Sequence, residues 1–514
     1  MRALACCFGL FLSAGLAQAV SPAIPAPDGA SPIAVDFGGK TFVNHGLVGA
    51  GRLAASLHDF HGDSLGSVSG LALGPGWRRK ADGSFSGALI SLPDRGFNAG
   101  KVYSDFAARY ETLAVTFAPR DSAEPLPLSP DSQDQLRLTP KGGLIFRDFR
   151  GQPSTGANPG TGTKTEHGVV LPSPAAGALG AGRISLDNEA IAFLKDGSFY
   201  VGDEYGANVY YFDAKGRMKG VIVPPRSARP RDARGNLVFG VDPDTGADLA
   251  VTGRRANQGF EGVSVTPDGR HLIAVMQSAL LQDSAGKAIN RNNTRVYVYD
   301  IATSRTPKTP AGEYVLQLPV YAKNGDGKLD ATAAQSEVLA LDAHQFLVLP
   351  RDGAGLGKED GKALVFKAVW LADTDGATNI AGTAYDTSDK PVVTGYGPLG
   401  GALDPAIVPV KTAELINLID PAQLARAGLS TAVTPLNPTV PTARLSEKWE
   451  GMALAPVLDK AAPDDYFLFV GNDNDFLTPT GCAMPGAGDC NSKVENDTVV
   501  MVWRVTLPGY GREK

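Results

Sequence analysis

The chain has 514 residues and a formal net charge of −6, with positive and negative residues interspersed; no basic stripe of the kind nucleic-acid binding requires is present. Its 61 glycines and 37 prolines mark many turns, hence many short strands. Beyond the N-terminus no run of about 18 apolar residues occurs, so no membrane span is expected.

At the start of the chain, Arg2, an apolar run from Leu4 to Leu16 and Ala17-Gln18-Ala19 form a signal-peptide pattern. The predicted mature chain begins at Val20 and is exported to a periplasmic or extracellular space. Cys6 and Cys7 leave with the leader. Cys482 and Cys490 remain, too few for a zinc–thiolate site and spaced for one local disulfide in an oxidising compartment.

Self-similarity at long period organises the rest. Five segments share an alternating apolar run, a turn and a β-rich return. Gly70, Glu189, Glu261, Glu337 and Glu450 open them, and Asp94, Asp203, Gln277, Arg351 and Asn472 close the return strands. Alternation of period two around Asp82-Gly83, Asp196-Gly197 and Asp268-Gly269 predicts hairpins. Further strands at 208–216, 295–300 and 498–504 build units of about four strands, the signature of an all-β propeller.

The repeats are unevenly spaced. Glu189, Glu261 and Glu337 lie 72 and 76 residues apart, whereas Gly70 to Glu189 is 119 and Glu337 to Glu450 is 113. Degenerate blades in the long gaps would make a ring of six blades, or seven, with a strand near residues 40–43 completing the last. Ala413, Leu415, Ile416, Leu418 and Ile419 fall at roughly helical spacing and predict a helical interruption over 411–427. The expected organisation is a leader (1–19), an N-terminal segment (20–65), the propeller (66–505) and a tail (506–514).

In such a hairpin the inner strand starts at the end where its antiparallel partner finishes. The four glutamates and the residues closing the return strands therefore share one rim. Asp187, Glu204, Arg95, Asp352, Asp473 and Asp475 flank them. Glutamate is depleted from strands and almost never buried unpaired. Four at one equivalent position mean either an exposed rim, or salt bridges to Arg95, Arg351 and Lys448, or carboxylates gathered around a cation. For a cation, Ca²⁺ is expected before Mg²⁺, with Asp94, Asp187, Glu204 and Asp473 as candidate ligands. Glu189, Asp203, Glu261, Glu337 and Glu450 are the candidate catalytic carboxylates. Arg95, Arg351 and Asn472 are candidate substrate contacts, since a guanidinium matches phosphate oxygens.

The segments Asp187-Asn188-Glu189-Ala190-Ile191, Gly202-Asp203-Glu204-Tyr205-Gly206, Asn257-Gln258-Gly259-Phe260-Glu261-Gly262, Lys448-Trp449-Glu450-Gly451-Met452 and Asn472-Asp473-Asn474-Asp475-Phe476 carry a resemblance. With Glu337 before its apolar strand, they resemble the phytase-like family, described as having the esterase-like activity of phytase, over roughly residues 66–505. The resemblance implies a propeller and phosphoester hydrolysis. Gly70, Gln277 and Arg351 depart from the acidic pattern.

Other motifs are weaker. Residues 324–330 lack the full spacing of a calcium loop, and His58 and His61 lack a metal frame. No G-x-S-x-G elbow, P-loop or histidine-phosphatase motif occurs. These readings favour an exported, metal-assisted hydrolase of a small anionic phosphoester, with Glu189 or Asp203 activating water. A metal-dependent lactonase and a non-catalytic ligand- or protein-binding propeller stay open, because fold alone does not choose.

Overall fold

Asp-Gly turns fold the repeats as alternation requires. Gly83, Gly197 and Gly269 have φ of +83°, +81° and +71°, a conformation costly for residues with a Cβ. Asp82, Asp196 and Asp268 each accept the backbone N–H two residues on. The computed structural model describes residues 32–99, 102–358, 364–431, 444–487 and 490–511. The leader read at 1–19 lies outside them.

The hairpins extend into five antiparallel sheets. The first blade comprises, from the axis outward, Gly70–Leu73, Phe85–Leu92, Arg109–Phe117 and Leu136–Ile145. The second comprises Asn188–Phe193, Phe199–Asp203, Val209–Phe212 and Met218–Ile222. Phe260–Val265, His271–Met276, Asn293–Asp300 and Gly312–Gln317 form the third. Ala334–Ala340, Gln345–Arg351, Ala368–Asp373 and Lys411–Asn417 form the fourth. Lys448–Pro456, Asp465–Asp473 and Thr498–Thr506 begin the fifth, and two N-terminal strands, Lys40–Leu53 and Ile33–Phe37, are added outside them.

Each innermost strand touches the next, and the fifth touches the first, so the ring closes. Its core is a set of layers between blades. Ile90, Leu92, Phe199 and Tyr210 fill the layer between the first and second. Tyr200, Phe260, Met276 and Tyr297 fill the next, and Ile273, Val296, Phe346 and Val348 the third. Leu347, Leu371, Trp449 and Trp503 lie between the fourth and fifth. Val48, Phe117, Phe467 and Phe469 seal the fifth to the first.

The expected six or seven blades are therefore five. In the 119-residue gap the chain makes a fourth strand, then rim loops and one short hairpin, Thr163–Glu166 with Val169–Pro172. The 113-residue gap holds a hairpin, Val393–Gly397 with Gly400–Leu403, inserted between strands of the fourth blade. The helix expected over 411–427 is also corrected. Lys411–Asn417 is the outer strand of the fourth blade, paired with Ala368–Asp373, and only Pro421–Ala425 is helical. Asp420 caps that short helix by accepting from the N–H groups of Ala422 and Gln423.

Cys482 and Cys490 form the expected disulfide, with Cα atoms 5.7 Å apart. It staples the loop that packs Phe476 and Met484 on Phe97 and Phe106, over the rim of the fifth and first blades. Among the described residues no helix is long and apolar enough to cross a membrane.

Candidate functional site

The glutamates opening the inner strands all fall at breaks in the strand ladder. Pairing jumps from Asn188 to Ala190, from Phe260 to Gly262, from Gln335 to Val338 and from Trp449 to Gly451. Glu189, Glu261, Glu337 and Glu450 are thus bulge residues, free of the ladder, and a bulge re-aims a side chain. The glycines that follow let neighbouring blades close in. A Cβ on Gly262 would lie 2.9 Å from the backbone N of Val338, and one on Gly451 would lie 2.5 Å from Val68 Cγ1.

Three of the four glutamates meet at the axis. Glu189, Glu261 and Glu450 line a cavity of about 70 Å³ together with Asp94, Arg95, Asn98, Glu204, Asn257, Gln277, Arg351 and Lys448. Three groups of carboxylates have oxygens within 4.8 Å of one another: Asp94, Asp187 and Glu189; Glu189, Glu204 and Glu261; and Asp94, Asp473 and Asp475.

The salt-bridge alternative is also realised in this cluster. Arg95 pairs with Asp187 and Arg351 with Glu450. Lys448 Nζ lies 2.9 Å from Asp473 and 2.6 Å from Asp475. These cations do not balance the centre. Eight carboxyl groups (Asp94, Asp187, Glu189, Glu204, Glu261, Glu450, Asp473 and Asp475) outnumber the cationic side chains set among them, Arg95, Arg351 and Lys448. Asp187 Oδ1 and Glu261 Oε2 are buried with no hydrogen-bond partner. An all-oxygen donor set with unmatched buried oxygens suits a hard cation.

Other sequence candidates lie apart from the cavity. Asp203 pairs with Asn188 in the ladder and accepts from the N–H of Asp187 (3.0 Å) and of Gly206 (2.6 Å), fixing the turn that presents Glu204. Glu337 accepts from its neighbour's N–H, Val338, at 2.9 Å. Asn472 donates to the carbonyls of Asp473 and Asp497 and accepts from Val499 N–H. Asp352 is held by Lys367 and the amides of Val365 and Phe366.

Sequence reasoning missed Asn98 and Asn257 as cavity residues, and gave Gln277 no role in the site. Gln277 Nε2 donates to Glu261 Oε1 at 2.7 Å. Asn257 has φ of +54°, a conformation asparagine tolerates, and its Asn-Gln-Gly context was the available signal. Nothing in the sequence singles out Asn98.

Burial, reinforced by neighbouring carboxylates, pushes the acids of Asp94, Glu189 and Glu261 well above their ordinary range. Burial also raises Glu204 to about 8 and Glu450 to about 7, the latter opposed by Arg351. Folding therefore binds protons here, and these groups contribute stability below the unfolded carboxylate range that is lost as pH rises through about 7 to 8. Without divalent cations, the melting temperature should fall between about pH 5 and pH 8. A scan in EDTA showing it constant or rising would contradict this electrostatic picture.

A family described as phytase-like, with the esterase-like activity of phytase, matches residues 65–476. An uncharacterized secreted protein of Arthroderma benhamiae is 32% identical over 473 residues, covering 86% of this chain and 89% of that protein. Among solved structures, the major allergen Mala s 1 of Malassezia sympodialis shares 10% identity over 92% of this chain and 88% of its own, at a TM-score of 0.28. The PQQ-bound aldose sugar dehydrogenase of Streptomyces coelicolor shares 13% over 95% and 96%, at 0.25. The family match and the fungal relative each span most of the sequence, and the chain belongs to the phytase-like family.

Proposed function

We propose that the chain is an exported hydrolase of phosphoesters that uses a hard divalent cation, Ca²⁺ before Mg²⁺, at the acidic mouth of the propeller. The observation that carries this reading is the excess of buried carboxylates with unpartnered oxygens on Asp187 and Glu261. The family description supports ester chemistry. The N-terminal pattern and the secreted relative support export.

Asp94, Asp187, Glu189, Glu204 and Glu261 would hold the cation, which when bound supplies Lewis-acid polarisation of a phosphoryl oxygen and acidifies water. Glu204, which burial holds protonated in the cation-free centre, would ionise when the cation binds and could then accept a proton from water; one of its oxygens accepts from Gly259 N–H at 3.3 Å. Asp203 then serves by setting the turn that carries Glu204. Asn257 is exposed at the cavity mouth, where it can orient a substrate oxygen. Arg95 and Arg351 keep positive charge beside the incoming anion.

The cavity's small volume favours a second reading, in which the cation only ties the blades together and the protein binds rather than turns over its ligand. Phosphate release from phytate and from a simple phosphomonoester separates the two. Release with Ca²⁺, loss in EDTA and recovery on readdition is the expected result. Absence of release at saturating Ca²⁺, with the melting temperature still raised by the ion, would leave the binding role in its place.

A further inference from the structure

We infer that Arg254 is a positioning residue: its guanidinium, buried behind the acidic centre, fixes the carbonyl of Tyr205 and thereby holds Glu204 of the second blade against the amide of Gly259 in the third. That role rests on the part given to Glu204 in the proposed hydrolysis and concerns what keeps this side chain in place.

Arg254 is 1% exposed, yet it stands apart from the other buried arginines. Arg95 is paired with Asp187, Arg109 with Asp59 and Asp63, Arg295 with Asp283 and Glu313, and Arg351 with Glu450. Among the described residues no carboxylate pairs with Arg254, and its Nη1 meets no acceptor. Its other donors go to backbone carbonyls of two separate loops. Nε and Nη2 donate to Tyr205 O at 3.0 and 2.9 Å, and Nη2 also to Phe239 O at 2.5 Å.

A buried guanidinium without a counter-ion is costly, and an apolar side chain of similar length would fill the space without that cost. What an apolar side chain lacks is the planar fork that grips two carbonyls at once. Tyr205 directly follows Glu204, and its ring is pinned as well, the hydroxyl donating to Gly156 O at 2.8 Å. Arg254 is anchored in turn, its own N–H donating to Ala228 O at 2.9 Å. Five residues on, Gly259 N–H donates to Glu204 Oε1 at 3.3 Å, and a Cβ on Gly259 would lie 2.5 Å from Glu204 Cα. The guanidinium therefore joins the turn that carries Glu204 to the loop that orients it.

Arg254→Met keeps the length and loses every donor, whereas Arg254→Lys keeps the charge and one donating group. Hydrogen–deuterium exchange of the purified protein in EDTA, read by mass spectrometry, tests the tie without turnover. Exchange in residues 203–206 and 257–259 should be about 10-fold faster in Arg254→Met and intermediate in Arg254→Lys, with His271–Met276 unchanged. Equal acceleration in all blades, or none in those two segments, overturns the inference. Should Arg254→Met fail to fold, Arg254→Lys decides, and wild-type exchange there overturns it. For phosphate release, kcat should fall about 100-fold in Arg254→Met with KM within about 3-fold, because Arg254 lies behind Glu204 and touches no substrate; a loss confined to KM would overturn the role. A wild type that releases no phosphate sinks the proposed function while exchange still decides the tie, and release by a wild type whose exchange matches that of Arg254→Met does the reverse.

Discussion

Glu261→Gln is expected to lower kcat/KM for phosphate release by about 100-fold or more while making the cation-free protein no less stable. The substitution keeps shape and keeps an acceptor for Gln277, whose amide donates to Oε1 at 2.7 Å. It replaces the unpartnered Oε2 with an NH₂ that donates toward the carboxylates of Glu204 and Glu189, its neighbours in the cluster. Repulsion falls and a hydrogen bond is gained, so the melting temperature in EDTA at pH 8 should hold or rise. The increase expected of wild type with Ca²⁺ should shrink. These opposite movements separate the loss of a ligand from general damage, which would lower both quantities. Wild-type turnover would remove Glu261 from the chemistry, and a clear loss of stability in EDTA would mean its carboxylate is paired.

Position along the chain carried the propeller class and the shared rim, but not the aim of each side chain. Alternation and Asp-Gly turns are local signals, and they placed the inner hairpins of the first three blades. The blade count depends on what lies between repeats. There, Gly-rich rim loops and the small hairpin at Val393–Gly397 and Gly400–Leu403 mimic the turn-and-strand texture of a blade without a sheet to join. Ala413, Leu415, Ile416, Leu418 and Ile419 fit helical spacing better than alternation, yet pairing with Ala368–Asp373 makes Lys411–Asn417 a strand, a tertiary contact that overrides the local pattern.

The site shows the same limit. Glu189 and Glu337 are equivalent in sequence, yet in the fourth blade both Ser336 and Glu337 fall between the paired Gln335 and Val338. It is Ser336 whose hydroxyl meets Arg351, at 3.0 Å, while Glu337 turns onto a backbone amide. Asp94 and Asp203 likewise share a position, but Asp94 stands two residues past the last paired Leu92 and is free to reach the axis, whereas Asp203 is held in the ladder. A bulge of one residue decides between a carboxylate at the axis and a backbone clamp, and no single-sequence signal reports it.

Removing residues 32–53 should abolish cooperative folding, the largest structural effect foreseen. The strand Lys40–Leu53 pairs with Thr498–Thr506 along nearly its whole length. It places Phe42, Leu47 and Ala50 in the layer between the fourth and fifth blades, and Val48 and Leu53 in the layer that seals the fifth to the first. At about 1.5–3 kcal/mol for each large buried apolar side chain, Phe42, Leu47, Val48 and Leu53 alone contribute roughly 6–12 kcal/mol. That is comparable to the whole stability of an ordinary domain, about 5–15 kcal/mol. The loss would also expose Thr498–Thr506 as a long apolar edge, a template for aggregation. Gly51 shows how closely the strand is fitted, since a Cβ there would lie 2.1 Å from the carbonyl oxygen of Leu136 in the first blade. By contrast, Ile33–Phe37 is mostly exposed, and deleting residues 32–37 alone should leave the melting temperature within a few degrees of wild type. Both truncations, expressed with residues 1–31 retained, can be compared by circular dichroism, thermal unfolding and dye binding to exposed apolar surface. A cooperative transition near the wild-type temperature in the longer deletion would show that the ring closes without its N-terminal strand, and the carboxylate cluster, which draws on the fifth blade beside the first, would then have to be held together by other contacts.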